Sequence, residues 1–228
     1  MENPPPPHLV VAIDGPAASG KSSVARALAH RLGFVYVNTG AMYRAVTWRI
    51  ASKDISCADA TAVLAEFDGV EIQCGVRDCE STITIDGVDP TPHLLTPLVN
   101  ENVSHIAAIP EIRRRLVALQ REYAQEHDVV MEGRDIGSAV FPDTLYKFYI
   151  DASPEVRAQR RQRQGLLDPV QARDRQDSSR RASPLVIAED AHVIDSSKLT
   201  VDGVVGELIG RLKLHGLKIE DGRSVVTR

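Results

Sequence analysis

Short apolar runs alternate along the chain with stretches that have helical periodicity. The run HLVVAIDG at residues 8–15 predicts a buried strand, and a helix follows in which Val24, Leu28 and Leu32 are four residues apart. FVYV and AMYRAVTWRIA predict a second strand and helix, and DVVMEG, YKFYID and AHVIDS predict three more strands. Strands that alternate with helices indicate an α/β fold, here with a five-stranded parallel sheet.

Each predicted strand is followed by a polar segment. The five segments are GPAASGKSS, NTGAMYR, EGRDIG, DASPEVR and DSSKLT, and arginine and lysine recur in them. Ligands of parallel α/β sheets bind beyond the carboxyl ends of the strands. We therefore expect these segments to meet in one crevice that collects charged groups.

Residues 57–100 interrupt the alternation of strands and helices. VEIQCGVRDCESTITIDGVDP contains two β-rich runs around a polar turn, a pattern that predicts an antiparallel hairpin. We expect residues 57–100 to form a small β-rich insert in a core made of residues 9–56 and 101–214. The proline-rich residues 1–8 are expected to be a disordered tail, and residues 215–228 a C-terminal tail.

The stretch GPAASGKS matches the phosphate-binding pattern G-x-x-x-x-G-K-[ST] between a predicted strand and a predicted helix. Its glycines let successive N–H groups point at phosphate oxygens, Lys21 is suited to the β- and γ-phosphates, and the Ser22 hydroxyl to Mg²⁺. The alternative is a glycine turn with a surface lysine. The pattern predicts a P-loop NTPase fold with Ser22 as metal ligand. The predicted ATP-binding residues are Gly15, Pro16, Ala17, Ala18, Ser19, Gly20, Lys21, Ser22 and Ser23.

Charge and composition limit the classes of partner. The net charge is −4, whereas residues 157–181 hold eight arginines and three acids. Such a strip suits RNA, a membrane surface or a phosphorylated ligand. Aromatic residues make up 4% of the chain, which disfavours a platform for single-stranded nucleic acid. No apolar run approaches the ~20 residues of a membrane span.

The cysteines and the first residues bear on the cellular compartment. Cys57, Cys74 and Cys79 fit no zinc or redox spacing, so we expect free thiols. MENPPPPH has neither the positive nor the apolar region of a signal peptide. Both features favour a cytoplasmic location.

Six segments together resemble the bacterial cytidylate kinases in order and spacing: IDGPAASGKSSVARALA, NTGAMYRAV, EGRDIGSAVFPD, DASPEVRAQRR, RDRQDSSR and IDSSKLT. The resemblance runs from about Val10 to Leu214. The combination of G-R-D-I-G with R-D-x-x-D-S-x-R is more specific than the P-loop. It implies the nucleoside monophosphate (NMP) kinase fold, with a lid at residues 157–176 and an NMP-binding insert at residues 57–100.

The resemblance also implies a set of residues that bind CMP. They are Thr39, Arg44, Ser104, Arg113, Arg134, Asp135, Arg173, Asp177 and Arg180. Arg44 and Arg134 correspond to the arginines on the acceptor phosphate, which a guanidinium can grip with two parallel hydrogen bonds. A solvated helix face is the alternative for Arg44, and a structural ion pair with Asp135 is the alternative for Arg134. Asn38 differs from many relatives, which have aspartate there.

In the family, Ser104, Arg113, Asp135 and Arg180 correspond to the base pocket. Arg114 and Arg115 adjoin Arg113, so the register of this helix is open, and Ser104 taken alone is typical of a helix surface. Arg173 and Asp177 correspond to the ribose-binding pair. Four residues apart on a predicted helix, these two also fit an ordinary salt bridge.

The arginine strip corresponds to the lid that closes over the triphosphate in NMP kinases. Its first members, Arg157, Arg160, Arg161 and Arg163, follow the fourth predicted strand of the core. Lid arginines neutralise charge on the transferring group and help to exclude water. We expect Lys21, Arg134, Arg160 and Arg163 to be catalytic.

The function implied is transfer of the γ-phosphoryl group of ATP, with Mg²⁺ as cofactor, to CMP and dCMP. The expected partners are these small molecules, with no nucleic acid and no membrane, and the expected state is a monomer. A kinase for AMP or UMP is the alternative among enzymes. An ATP-binding protein whose arginine strip holds RNA is the alternative from another class.

Overall fold

The computed structural model describes residues 8–163, 170–180, 183–220 and 223–224, without the side chains of residues 170–173, 220 and 223–224. Several expectations lie outside these described residues. They concern most of the proline-rich tail, the lid connection at residues 164–169, the side chain of Arg173 and the end of the C-terminal tail.

The strands of the described residues form one large sheet and one short hairpin. Their bounds are β1 Val10–Asp14, β2 Val35–Asn38, β3 Ile72–Arg77, β4 Glu80–Ile85, β5 Val129–Gly133, β6 Tyr146–Asp151, β7 His192–Asp195, β8 Ile219–Glu220 and β9 Arg223–Ser224. The large sheet has the order β3-β4-β2-β5-β1-β6-β7, and β8 and β9 pair separately. The five predicted strands are neighbours in this order, and all four of their pairings are parallel.

The predicted number of strands was wrong, because the sheet has seven. The hairpin within residues 57–100 is antiparallel, as expected, with Ile72 opposite Ile85. It also joins the main sheet through a parallel pairing of Tyr36 with Glu80. An edge strand carries unpaired backbone N–H and C=O groups, and the hairpin covers those of β2.

Eight helices are assigned in the part of the chain that the structure describes. They are α1 Lys21–Leu32, α2 Thr39–Ala51, α3 Ala60–Phe67, α4 Pro97–Ala107, α5 Pro110–Glu126, α6 Pro154–Arg163, α7 Val170–Ser179 and α8 Val201–Leu214. A 3₁₀ turn at Thr91–His93 and a π-helical turn at Ile136–Val140 complete the helical elements. The helices α4 and α5 each start at a proline, which fits a first turn because the N–H that proline lacks has no helical partner there.

Helices cover both faces of the parallel strands. Alternate residues of β1 face opposite ways, so that Val11 and Ile13 pack in one core with α1 and α8, and Val10 and Ala12 in another core with α5. A third core joins α2, α3, α4 and α5 to the hairpin. This layering leaves the carboxyl ends of the strands as the open edge of the sheet.

The segment after α8 is partly anchored to the core. Leu217 is buried among residues of α1, α8 and the sheet. No helix in the described ranges combines the length and the apolar character needed to cross a membrane.

Candidate active site

A cleft of about 940 Å³ opens where segments following the five parallel strands meet. The predicted site residues that line it are Ala17, Ala18, Ser19, Gly20, Lys21, Ser22, Ser23, Thr39, Arg44, Ser104, Arg113, Arg134, Asp135, Arg160, Arg163, Asp177 and Arg180. Gly15 and Pro16 precede these residues in the loop after β1. The side chain of Arg173 lies outside the described residues.

The loop from β1 to α1 has the conformation that a phosphate cradle requires. A Cβ atom at Gly15 would lie 2.1 Å from the carbonyl oxygen of Ile150, so a larger residue would displace the loop. Gly20 is the N-cap of α1, with a φ of 91° that favours glycine and no side chain to cap the helix. Lys21 Nζ donates to the Pro16 carbonyl oxygen at 3.0 Å. The amino end of α1 therefore presents its N–H groups and positive dipole to an anion.

Glu132, at the end of β5, is a buried carboxylate beside this loop. Its Oε1 accepts from Ser22 Oγ at 2.7 Å and from the Tyr36 hydroxyl at 3.3 Å, and its Oε2 lies 4.0 Å from Lys21 Nζ. Burial, followed by the charge of Glu132, raises the pKa of Tyr36, which keeps this donor protonated. Glu132 was not among the predicted site residues, although a charged residue in the apolar run VVMEG was the available signal.

The residues beside the P-loop fit a magnesium ion bound with nucleotide phosphates. Proteins often hold Mg²⁺ through one or two carboxylates, with substrate phosphates and waters as the other ligands. Ser22 and Glu132 supply one hydroxyl and one carboxylate. Within the described ranges, no group of three or more His, Cys, Asp or Glu side chains is placed to hold a metal ion.

The first turns of α2 bring three polar residues to the cleft. Thr39 Oγ1 donates to the Glu132 carbonyl oxygen at 2.8 Å, which joins α2 to the end of β5. Asn38 Oδ1 accepts from the Ala41 N–H at 3.0 Å, so Asn38 acts as the N-cap of α2. Arg44 Nη2 donates to Asn100 Oδ1 at 3.2 Å.

A structural ion pair between Arg134 and Asp135 was the alternative to phosphate binding by Arg134. This alternative was wrong, because each of the two residues has another partner. Arg134 Nε donates to Asp177 Oδ2 at 3.0 Å, and Asp135 Oδ2 accepts from Arg113 Nη2. Two ion pairs thus link the loop after β5 to α5 and to α7.

Asp135 lies in a buried group of arginines. Burial raises the pKa of its carboxyl, and the charges of Arg113 and Arg180 oppose that rise. Arg180 Nε donates to the Asp177 carbonyl oxygen at 3.1 Å, and Ser104 Oγ donates to Asp177 Oδ1 at 3.4 Å. These contacts gather Ser104, Arg113, Asp135 and Arg180 at one end of the cleft.

The three consecutive arginines of α5 have different surroundings. Arg113 is buried, donates to the Ala107 carbonyl oxygen at 3.2 Å and lies over the Tyr43 ring at 5.4 Å. The Arg114 side chain is 74% exposed and pairs with Glu111. Arg115 donates to the Val70 carbonyl oxygen at 2.6 Å, beneath the insert. Of the three, Arg113 lines the cleft.

Three of the four arginines of α6 turn inward. Arg160 donates to the Ser19 carbonyl oxygen at 3.0 Å and to Ser196 Oγ at 3.0 Å, so it spans the P-loop and the segment after β7. Arg157 is buried and pairs with Asp174 of α7, and Arg161 is buried as well. Arg157, Arg160 and Arg161 are thus held by contacts within the protein. Arg163 is exposed and lines the cleft.

Asp14 connects β1 to the loop that carries the two ion pairs. Its carboxylate oxygens accept from the backbone N–H groups of Ile136 and Gly137, both at 2.8 Å. Burial raises the pKa of Asp14 to about 7, although these two donors act in the opposite direction. The contact ties the end of β1, where the P-loop begins, to the turn after Asp135.

The family of the chain follows from comparison with known sequences. The profile of the cytidylate kinase family matches residues 11–214. The chain belongs to the cytidylate kinase family.

Relatives in this family span nearly the whole chain. A cytidylate kinase from Streptomyces avermitilis is 43% identical over 208 residues, which cover 87% of this chain and 90% of that protein. One from Lactobacillus johnsonii is 42% identical, with 88% and 92% covered. One from Corynebacterium glutamicum is 44% identical, with 88% and 93% covered.

The motifs of this cytidylate kinase family member did not point to three residues that line the cleft or support residues lining it. Glu132 and Asp14 are acidic residues at strand ends, and Asn100 is a buried polar residue on α4. Asp14 and Glu132 act through partners that are 93 to 123 positions away in the chain, as in the contacts of Asp14 with Gly137 and of the Glu132 carbonyl oxygen with Thr39. For Asp14 and Glu132, an acidic residue at the end of an apolar run was the one signal available.

Proposed function

We propose that the chain transfers the γ-phosphoryl group of ATP to CMP, and also to dCMP, giving CDP or dCDP and ADP. The observation that carries the proposal is the cleft itself, in a member of the cytidylate kinase family. One end has a P-loop, and the other gathers arginines around a buried carboxylate.

The P-loop end of the cleft suits the triphosphate. Backbone N–H groups within residues 15–23, of which Pro16 has none, bind the phosphate chain, and Lys21 neutralises charge on the β- and γ-phosphates. Ser22 and Glu132 would hold Mg²⁺ together with the nucleotide, and the ion would supply further neutralisation of the phosphate charge. Arg160 already contacts the Ser19 carbonyl oxygen, so its guanidinium is close to the loop that binds the donor.

The middle of the cleft suits the acceptor phosphate. Arg44 and Arg134 come from the first turns of α2 and the loop after β5, and both line the cleft. Two guanidinium groups from different elements can grip a phosphate in a defined orientation. Asp177 orients Arg134 and, with Arg173, is proposed to bind the ribose.

The far end of the cleft suits cytosine. Cytosine has an amino group at N4 and acceptors at N3 and O2, whereas uracil has a carbonyl at C4 and an N3–H. The Asp135 carboxylate can accept from the amino group, and Arg113 and Arg180 can donate to N3 and O2. Ser104 completes this pocket. Uracil would place a carbonyl oxygen against the buried carboxylate, which is unfavourable.

Transfer between these two ends needs no side chain as a base. The second pKa of a phosphate ester is ~6, so the attacking oxygen of CMP is already ionised at neutral pH. Positioning and charge neutralisation then carry the rate. Arg163 is proposed to complete the positive surroundings of the transferring group when the lid closes.

The remaining expectations stay predictions. They are that the partners are limited to nucleotides, with no nucleic acid or membrane, that the protein is a monomer, and that it acts in the cytoplasm. Incubation with ATP, Mg²⁺ and CMP should produce CDP and ADP in equal amounts, as measured by anion-exchange chromatography. Absence of CDP under these conditions would overturn the proposed function.

A further inference from the structure

Asn100 is a buried polar residue that no motif includes. It lies on the first turn of α4 and is 5% exposed. Its Nδ2 donates to the carbonyl oxygens of Leu95 at 2.7 Å and Thr96 at 3.1 Å. Its Oδ1 accepts from Arg44 Nη2 at 3.2 Å and from Arg161 Nη2 at 3.3 Å.

These four hydrogen bonds fix the orientation of the amide. An asparagine side chain has two N–H donors and an oxygen with two lone pairs, and here all four are used. In the flipped orientation, the NH₂ group would face two guanidinium donors and the oxygen would face two carbonyl oxygens. Asn100 therefore presents its oxygen to the arginines in one defined way.

The two arginines come from different parts of the protein. Arg44 belongs to α2, next to the proposed acceptor phosphate, and Arg161 belongs to α6, the first helix of the lid. Both line the cleft. The two guanidinium groups donate to the same oxygen atom, so their positive charges lie close together and repel each other. The shared acceptor offsets this repulsion and aligns both groups.

The neutrality of the acceptor is important. A carboxylate at position 100 would form charged hydrogen bonds with both guanidinium groups, which are roughly twice as strong as neutral ones. It would thereby compete with a phosphate for the same donors. An amide holds the arginines in place without adding a negative charge beside the ligand.

We propose that Asn100 is a positioning residue that holds Arg44 and Arg161 together for the acceptor phosphate. This inference rests on the proposed function, and it adds Arg161 to the phosphate side of the cleft. The lid helix α6 is thus joined to the acceptor site through one side chain of α4.

The test uses two substitutions of Asn100 and a matched control. Asn100→Asp introduces the competing carboxylate, and Asn100→Ala removes the shared acceptor. Asn102→Asp makes the same chemical change two residues away, where the Nδ2 of the half-buried Asn102 donates to the Leu98 carbonyl oxygen at 2.9 Å. Calorimetric titration of each full-length protein gives the Kd of CMP and, by competition, that of cytidine.

We expect Asn100→Asp to weaken CMP binding by at least about tenfold, since a lost charge-assisted hydrogen bond exceeds the 1.4 kcal/mol that tenfold represents. The Kd of CMP for Asn100→Ala should lie between the values for Asn100→Asp and the wild type. Cytidine, which lacks the phosphate, should bind to all variants within about twofold of the wild type. Asn102→Asp should change neither Kd.

Two results would overturn the inference. One is wild-type CMP affinity in Asn100→Asp, and the other is an equal loss for CMP and cytidine, which indicates a structural role alone. If Asn100→Asp does not fold, the same comparison with Asn100→Ala decides. Failure of the proposed function is recognised separately, by a wild-type protein that does not phosphorylate CMP. The comparison is then made with the monophosphate that it does phosphorylate and the matching nucleoside.

Discussion

Arg134 Nε donates to Asp177 Oδ2 at 3.0 Å, between residues 43 positions apart in the chain. The contact joins the loop after β5 to α7, and the other oxygen of Asp177 accepts from Ser104 of α4. Asp177 is buried, so its charge has to be balanced within the protein. The carboxylate thus orients an arginine that we assign to the acceptor phosphate.

Substitution of Asp177 by alanine should release Arg134. Because the phosphate is common to both substrates, kcat/KM should fall at least about tenfold for dCMP as well as for CMP, as expected when one partner of a buried charge pair is removed. Steady-state kinetics with both nucleotides provide the measurement. Asp190→Ala is the control, since Asp190 pairs with Lys147 away from the cleft. Unchanged kinetics with dCMP would show that Arg134 does not depend on Asp177.

Lys21→Ala should remove stabilisation of the transition state while the fold remains. Loss of one preorganised group of this kind lowers kcat by about 10²–10³-fold. The melting temperature and the KM for CMP should change little, because Lys21 lies at the donor end of the cleft. Lys213→Ala, at the last turn of α8, is the control for loss of one ammonium group. Near-normal turnover of Lys21→Ala would contradict the assignment of the P-loop.

Asp135 should determine the preference for cytosine. Asp135→Ala should lower kcat/KM for CMP much more than for UMP, since a base contact of this type contributes ~1–3 kcal/mol of discrimination where bases are read in nucleic acids. Asp135→Asn should also reduce the CMP/UMP ratio, because an amide can donate to the uracil carbonyl. The Kd of ATP should stay nearly unchanged. A ratio equal to that of the wild type would remove Asp135 from the base pocket.

The raised pKa of Asp14 predicts a specific dependence of stability on pH. The folded state binds this proton more tightly than the unfolded state, whose pKa is near 3.8, so the contribution is fully present below pH 4 and is lost as pH rises through about 7. Asp14→Asn lacks this titration. In urea unfolding, the excess stability of the wild type over Asp14→Asn should therefore be larger at pH 5 than at pH 8. An excess that is constant or grows with pH would contradict the prediction.

Local patterns were sufficient to predict the five parallel strands along the chain and the P-loop. The apolar run before Gly15 indicates a buried strand, and the spacing of Val24 and Leu28 indicates a helix with one buried face. Neighbouring residues largely determine both features. The seven-stranded sheet was not predicted, because periodicity identifies a hairpin but not the edge to which it pairs. The link between Tyr36 and Glu80 is a tertiary contact.

Which side chains pair with each other in the site was harder to predict than which residues belong to it. Adjacency in the sequence suggested, as an alternative, a pair between Arg134 and Asp135, whereas the fold gives them Asp177 and Arg113 as partners. Asn100 offered no signal at all, since a lone asparagine on a helix is commonplace. Such contacts depend on how distant elements pack, which motif spacing does not encode.

The most direct test of the account is a comparison of acceptors. The wild-type protein is assayed with MgATP and, separately, CMP, dCMP, UMP and AMP, and kcat/KM is determined for each. We predict that CMP and dCMP are phosphorylated and that kcat/KM for CMP exceeds the values for UMP and AMP by about tenfold or more, which is within the range that base contacts provide. Equal or faster phosphorylation of UMP or AMP, or transfer to none of the four, would contradict the proposed function.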